Sequence, residues 1–255
     1  MKFLFSFLLL AQCQLSFAQT PADTTVSLNA GEYALSYWHN GIRLVSEPIR
    51  WKKKNWIMFG ATAAITAGLT TVDADINKPF KRWYDNNADF GKAGGFAGSV
   101  PVMVGGGLVT FGIAKIIKNR NLQNFAMDNL QAQIFTGGLT FVTKYAFGRA
   151  RPNDLRGANY WDGPIKANNF QSFFSGHSSL AFSTATMVFL HSHKKPWVGV
   201  ASYGIASAIS ISRMQNQKHW ASDVFLGAVT GWAVSNFVYQ QNEKQRAAKK
   251  LKMVL

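Results

Sequence analysis

The chain has 255 residues, with 27 Lys and Arg against 12 Asp and Glu, which gives a formal net charge of +15. Such an excess of positive charge indicates phosphorylated molecules, anionic lipid or nucleic acid as partners. Nucleic acid fits least, because the basic residues fall in short clusters between apolar runs and do not follow one helix. The single cysteine, Cys13, excludes an intramolecular disulfide framework.

Residues 1–18 have the features of a secretory signal peptide. Lys2 supplies the positive start, Phe3–Ala11 the apolar stretch, and Ser16-Phe17-Ala18 a cleavage site of the small-x-small type. We predict secretion with cleavage after Ala18. An uncleaved anchor and lipoprotein cleavage at Cys13 are the alternatives.

Within the N-terminal segment 19–55, residues Gln19–Pro48 show no sustained helical period and contain a turn signal, Asn40-Gly41. We assign this segment no role. It ends in a basic, aromatic-flanked cluster at residues 50–54.

Apolar runs between residues 56 and 240 predict about six helices and almost no strand, so the expected fold is an all-α bundle. The last fifteen residues, 241–255, are rich in lysine and read as a basic, solvated tail. The six runs are Trp56–Val72, Val100–Ile117, Met127–Thr143, Leu180–Leu190, Trp197–Ile211 and Phe225–Tyr239.

Two signals disagree on whether these helices cross a membrane. A spanning helix needs about 20 mostly apolar residues, and only the first two runs come near that length. Basic clusters at 50–54, 115–120, 194–195 and 244–252 occupy alternate helix ends, as the positive-inside rule requires of six spans with both termini in the cytoplasm. A cleaved signal peptide would invert that topology. We expect a membrane-embedded or membrane-associated protein and leave the number of spans open.

A first polar segment ends the third predicted helix. Lys144 and Arg151 are two helical turns apart, so both can point to one side before Pro152 stops the helix. A cationic helix end stabilised by the helix dipole is the alternative.

A second polar segment starts the fourth predicted helix. Ser175 is a natural N-cap, Gly176 lets the backbone approach a ligand, and amides at a helix start bind anions beneath His177. An ordinary capped helix with an incidental histidine is the alternative.

A third segment, Ser212–Asp223, lies between the last two predicted helices. Arg213 suits a tetrahedral oxyanion. If the chain is helical from Ala221, His219 and Asp223 share one helix face. Asp223 can then accept a hydrogen bond from one imidazole nitrogen and leave the other free to attack.

Together the three segments resemble the tripartite signature of the type 2 phosphatidic acid phosphatase (PAP2) superfamily. That superfamily includes bacterial class A acid phosphatases and vanadium haloperoxidases. Phe174 stands where its second motif usually opens with proline, and we expect altered loop rigidity with unchanged chemistry. The matching patterns are Lys144-x6-Arg151-Pro152, Ser175-Gly176-His177 and Ser212-Arg213-x5-His219-x3-Asp223.

The resemblance implies a PAP2/haloperoxidase-like bundle with its active site at helix ends and interhelical loops. It implies that His219 is the nucleophile that forms a phosphohistidine, that Asp223 orients it, and that His177 protonates the leaving oxygen and then activates water. The residues that it implies bind phosphate are Lys144, Arg151, Ser175, Gly176 and Arg213.

We expect no metal and no other cofactor, because three cations can take the place of a metal pair in phosphoryl transfer. His191 and His193 resemble a two-histidine ligand pair. No carboxylate or cysteine accompanies them in the sequence, so we expect a solvated loop there.

The expected function is a metal-independent phosphatase that hydrolyses a phosphomonoester or pyrophosphate, with a membrane lipid as substrate and the site facing the periplasm of a bacterial cell envelope. A soluble periplasmic acid phosphatase of broad specificity, acting on small phosphomonoesters, is the leading alternative. A vanadium-dependent haloperoxidase and an inactive envelope protein are the others. The expected partners are the phosphorylated substrate and an anionic membrane surface, without nucleic acid. The lipid and the oligomeric state stay open.

Overall fold

The computed structural model describes residues 26–154, 156–164 and 171–255, and the predicted signal peptide lies outside them. Within these residues the chain forms eight α-helices and no extended strand. A 3₁₀ turn, Glu47–Arg50, links the first two helices. The helices are α1 (Ala30–Ser46), α2 (Lys53–Asn86), α3 (Asp89–Ala97), α4 (Val100–Ile116), α5 (Arg120–Phe147), α6 (Gly176–His191), α7 (Pro196–Gln215) and α8 (Ala221–Val254).

The prediction of an all-α bundle is confirmed, since the six predicted runs fall in α2 and in α4 to α8. Two helices were missed. Three glycines among the nine residues of α3 conceal it from a propensity argument. The turn signal at Asn40-Gly41 was wrong: Asn40 lies buried inside α1 and donates to Asn242 of α8 at 2.9 Å. That contact between helices outweighs its poor helix propensity.

Helix α6 is the central helix, packed between α5, α7 and α8. It runs parallel to α8 at very short range. A Cβ atom added to Gly231 of α8 would lie 2.1 Å from the carbonyl oxygen of Ser179, so the two backbones touch where only glycine fits. Ser183 and Ser235 hydrogen-bond across the same seam at 2.8 Å. The N-termini of α6 and α8 therefore lie side by side.

Helix α5 runs antiparallel to α6, because Gln133 bonds to Thr184 while Thr140 meets Ser179. Helix α7 also returns antiparallel, with Ser202 bonding to the carbonyl of Ala185. One end of the bundle thus collects the last turns of α5 and α7 and the first turns of α6 and α8. We call it the site end.

The basic residues 241–255 are not the solvated tail that their charge predicted. Helix α8 continues through them to Val254 and buries Gln241, Asn242 and Arg246. The guanidinium of Arg246 pairs with Asp128 of α5 at 2.6 Å. A buried carboxylate on α5 thus explains why a charged segment joins the bundle.

The predicted solvated loop is found at residues 193–195, which include His193 and are exposed. The prediction was wrong for His191, which ends α6. Its Nε2 lies 3.1 Å from Oδ2 of Asp128, and its side chain is only 10% exposed. A carboxylate does accompany this histidine, but it comes from 63 residues earlier in the chain. Sequence proximity could not reveal the pair.

Much of the outer surface is apolar. Helix α2 is long and apolar enough to cross a membrane. Only 11% of its apolar 18-residue stretch is buried within the bundle. Among the described residues, helices α3 and α4 meet at a bend of 43° and pass the same test of length and composition only when they are taken together as one span. Exposed side chains such as Leu108 of α4 and Phe141 of α5 extend the apolar surface. These features support association with a membrane.

Candidate active site

All eight residues that the sequence singled out lie at the site end. Four consecutive helices supply them from their terminal turns or from the loops beside those turns. Lys144 lies in the last turn of α5 and Arg213 in the last turn of α7. Ser175 caps α6, which Gly176 and His177 begin, and Asp223 lies in the first turn of α8, with His219 just before that helix. The prediction that Pro152 stops the helix was wrong: α5 ends at Phe147 with Gly148 in the left-handed conformation, so Arg151 follows the helix and does not share its face with Lys144.

Lys144, Arg151 and Arg213 form a cation cluster. Burial, followed by the charge of Arg151, lowers the pKa of Lys144 to about 8 and that of Arg213 to about 10. The buried Nε atoms of Arg151 and Arg213 have no hydrogen-bond partner within the part of the chain that the structure describes. Buried donors of like charge are costly unless an anion satisfies them. The cluster therefore has the properties of an oxyanion site.

His219 is almost completely buried, and its tautomer follows from its partner. Nδ1 lies 2.8 Å from the carbonyl oxygen of Ser172. A carbonyl only accepts, so Nδ1 carries the proton and Nε2 keeps its lone pair. Burial lowers the pKa of His219 to about 3, with Lys144 and Arg151 adding to that effect. The free site thus holds a neutral imidazole with one nucleophilic nitrogen.

Asp223 does not make the hydrogen bond to His219 that we predicted. Its Oδ2 lies 3.8 Å from Nδ1, too far for a hydrogen bond, and the carbonyl of Ser172 takes that place. Asp223 Oδ2 instead accepts from the Ser172 hydroxyl and from the backbone amide of Trp220. Asp223 therefore acts on His219 through its charge and through Ser172.

His177 is held by α3. Its Nε2 lies 3.0 Å from the carbonyl oxygen of Gly95. Because a carbonyl only accepts, Nε2 carries a proton, and Nδ1 is the nitrogen that can give and take a proton. Burial and then Arg213 lower the pKa of His177 to about 4. Lys144 and Arg151 contribute to the same shift, because this histidine lies near the cation cluster.

Ser175 and Gly176 shape the start of α6. The Ser175 hydroxyl accepts from the amide of Ser178 as a helix cap, and the Ser175 amide donates to the backbone carbonyl of Asp223 at 3.0 Å. Gly176 begins the helix. The loop before this cap is packed, since Phe174 is 3% exposed. Phe173 lies edge-on to Phe147 and Trp161.

The cationic side chain that sequence reasoning left without a role is Arg149. It is fully buried and donates to Asp223 and to Asp73, each at 2.7 Å. Trp161 lies over its guanidinium at 4.8 Å. Its position two residues before Arg151 hid it among the other cations of that segment. Asp73, an ionisable residue just after an apolar run, was the signal that could have revealed the pair.

Comparison with known proteins finds similar sequences. Residues 125–247 match the family model described as the PAP2 superfamily. The lipid A 1-phosphatase of Porphyromonas gingivalis is 31% identical over 176 residues, which cover 69% of this chain and 36% of that protein. The probable diacylglycerol pyrophosphate phosphatase 1 of Schizosaccharomyces pombe is 28% identical over 165 residues, 52% of this chain and 59% of that protein.

Among solved structures, a transmembrane PAP2-type phosphatidylglycerolphosphate phosphatase from Bacillus subtilis is similar. It is 17% identical with a TM-score of 0.46, and the match covers 83% of this chain and 96% of that one. The present chain spans less than two thirds of either curated relative.

Proposed function

Because the region from residue 125 to residue 247 belongs to the PAP2 superfamily, we propose that the protein is a metal-independent lipid phosphatase that works through a phosphohistidine. One observation carries the proposal. The cation cluster, in which two buried guanidinium nitrogens have no partner among the described residues, lies near a histidine whose Nε2 is free to attack. That combination binds a phosphoryl group and supplies its nucleophile.

In the first half-reaction the cation cluster holds the non-bridging phosphate oxygens. Nε2 of His219 forms a bond to phosphorus while the bond from phosphorus to the leaving oxygen breaks. His177 gives its proton to that oxygen. The bound dianion offsets the cations that lower the pKa of His177, so substrate itself favours the protonated imidazole that this step needs.

In the second half-reaction a water molecule attacks phosphorus. His177, now neutral, takes the water proton, and the bond between phosphorus and Nε2 breaks. Inorganic phosphate leaves, and His219 returns to its neutral form. Throughout, the Ser172 carbonyl and the nearby negative charge of Asp223 stabilise the positive charge that the phosphorylated imidazole carries.

Three features support a membrane lipid as the substrate. The relatives in P. gingivalis and S. pombe are named for lipid phosphates. Helix α2, which can cross a membrane, reaches the site end, where its Asn77 bonds to Gln217 at 2.8 Å. Apolar side chains cover the outside of α4 and α5. A lipid headgroup can then enter the site while its chains stay in the bilayer.

Charge placement supports a site on the outer face of the membrane. Lys53 begins α2 about 30 Å from Asp73 along the helix, so it lies at the end opposite the site. The clusters at residues 115–120, 194–195 and 244–252 also fall at that opposite end, where α5 and α7 begin and α6 and α8 finish. The positive-inside rule favours the cytoplasm for such an end and the periplasm for the site end. This proposed topology sets aside the predicted cleaved signal peptide, which would invert it.

The test is phosphate release in EDTA by purified protein, wild type beside His219→Ala. The panel pairs detergent-dispersed lipid phosphates with a soluble aryl phosphate. We expect release from lipid that His219→Ala abolishes and His39→Ala, at an exposed histidine of α1, leaves unchanged. Radioactive phosphorus from labelled substrate should become attached to the wild-type protein through a bond that is labile in acid and stable in alkali.

Equal turnover of the aryl phosphate would favour the soluble acid phosphatase instead. Bromide oxidation that needs added vanadate would favour the haloperoxidase. Full activity in His219→Ala would end the phosphohistidine mechanism, and loss of wild-type activity in EDTA would end its metal independence.

A further inference from the structure

Asp73 is a fully buried carboxylate in the middle of α2, and nothing in the tripartite motif accounts for it. It lies outside residues 125–247. An ionisable group inside a long apolar helix is costly and is retained where it has a partner and a task. Its partners are two residues of the active-site region: the Arg149 guanidinium at 2.7 Å and the backbone amide of Ser222 at 3.0 Å.

The contacts of Asp73 converge on the start of α8. Ser222 donates both its amide and its hydroxyl to Asp73, and it directly precedes Asp223. Arg149 donates one nitrogen to Asp73 and another to Asp223. One aspartate on α2 thus binds the residue before Asp223 and the cation beside it. The three charged side chains are each 0% exposed, so solvent does not screen them.

The charges of this trio explain why a second carboxylate is needed. Arg149 alone would neutralise Asp223 and remove the negative charge that faces His219. With Asp73 sharing the guanidinium, the trio carries a net charge of one negative unit. That charge is needed when Nε2 becomes phosphorylated and the ring of His219 turns positive, in a region that already holds the cation cluster.

We propose that Asp73 is a positioning residue for the phosphoryl transfer, acting on His219 through Arg149 and Asp223. The inference rests on the proposed function. It assigns to α2 a part in the chemistry besides any part in the membrane. It also makes Arg149 a positioning residue, distinct from the three cations that hold phosphate.

The experiment compares Asp73→Asn with Asp75→Asn, a matched control at an exposed aspartate that pairs with Lys78. We expect Asp73→Asn to lower kcat about 10- to 100-fold. That range is typical when a side chain that orients a metal ligand is replaced, and Asp73 acts on His219 in a similarly indirect way. KM and the affinity for sulfate, measured by calorimetry, should stay within about threefold of wild type, because the cation cluster is intact. Asp75→Asn should match wild type in all three.

A double variant separates charge from structure. Asp73→Asn with Arg149→Gln restores a net charge of one negative unit on Asp223, so its kcat should exceed that of Asp73→Asn alone. A purely structural role predicts the reverse, because more native contacts are lost. If Asp73→Asn does not fold, the double variant is compared with Asp223→Asn, whose trio is neutral, and the double variant should again be faster.

Wild-type kcat in Asp73→Asn, or a double variant no faster than its comparison variant, would overturn the inference while the phosphatase assignment stands. Wild-type protein and His219→Ala are assayed first on the same substrate. No turnover by wild type would end the proposed function and this inference together.

Discussion

His177 Nε2 lies 3.0 Å from the carbonyl oxygen of Gly95, so a side chain on α6 is oriented by the backbone of α3. Helix α3 can approach this closely because glycines line the contact. A Cβ atom added to Gly98 would lie 3.0 Å from Cδ2 of His177 and 2.6 Å from Cγ2 of Ile209. The proposed proton donor therefore depends on a short helix that contains no residue of the tripartite motif.

Gly98→Ala should lower turnover because the added methyl group displaces either α3 or the ring of His177. We expect a loss of roughly 10- to 100-fold in kcat, since a shift of about 1 Å at a reacting group has that effect. Gly105→Ala on α4 is the control, because a Cβ atom there meets nothing within 4 Å. Steady-state kinetics measure both, and equal rates would show that α3 does not position His177.

Arg213→Gln should weaken binding of oxyanions. Removing one charge-assisted hydrogen bond costs about 1.5–3 kcal/mol, which corresponds to roughly 10- to 150-fold in affinity for sulfate. Lys92→Gln, an exposed cation on α3, controls for the change in net charge. Calorimetric titration gives both affinities. If the two variants bind sulfate equally well, Arg213 is not a phosphate ligand.

The unliganded protein should lose stability as the pH falls from 6.5 towards 4. Burial lowers the pKa of both His177 and His219, so the unfolded chain binds more protons than the folded one in this window. Unfolding is therefore favoured by acid. His219→Gln removes one of these groups and should show a smaller fall in Tm between pH 7 and pH 5. An unchanged pH dependence would mean that folding does not lower the pKa of His219.

Arg246→Gln should destabilise the fold without changing kcat per folded molecule. It leaves Asp128 buried without its closest cation, a loss that typically costs about 3–5 kcal/mol. Lys252→Gln, in the same helix but exposed, should leave Tm near the wild-type value. Thermal unfolding and turnover of the same samples test this. Equal Tm values would restore the view of residues 241–255 as a solvated tail.

The convergence of the candidate site residues was more predictable from the sequence than the contacts that support them. His219, His177 and the proposed phosphate ligands stand at fixed spacings beside predicted helix ends, and side chains at helix ends that face one another converge. The fold class was equally predictable, because apolar runs of this length indicate helices. Both kinds of signal are local.

What the sequence could not supply were contacts between distant segments. Ser172 binds His219 through its backbone carbonyl, a group that every residue possesses, so no side-chain pattern announces it. Asn40 and Arg246 look like turn and tail residues until partners on other helices are known. Arguments from helix propensity fail where a buried polar partner on another helix stabilises a residue in a conformation that the residue disfavours locally.

The location of Asp73 and Gly95 decides which fragment of the chain contains the whole proposed active site. A fragment limited to residues 125–247 would contain every motif residue and still lack both the carboxylate that shares Arg149 and the carbonyl that holds His177. We therefore expect a unit that begins after α3 to lose most of the proposed turnover. In a truncated or fused protein, α2 and α3 should accompany the motif if its full activity is to be kept.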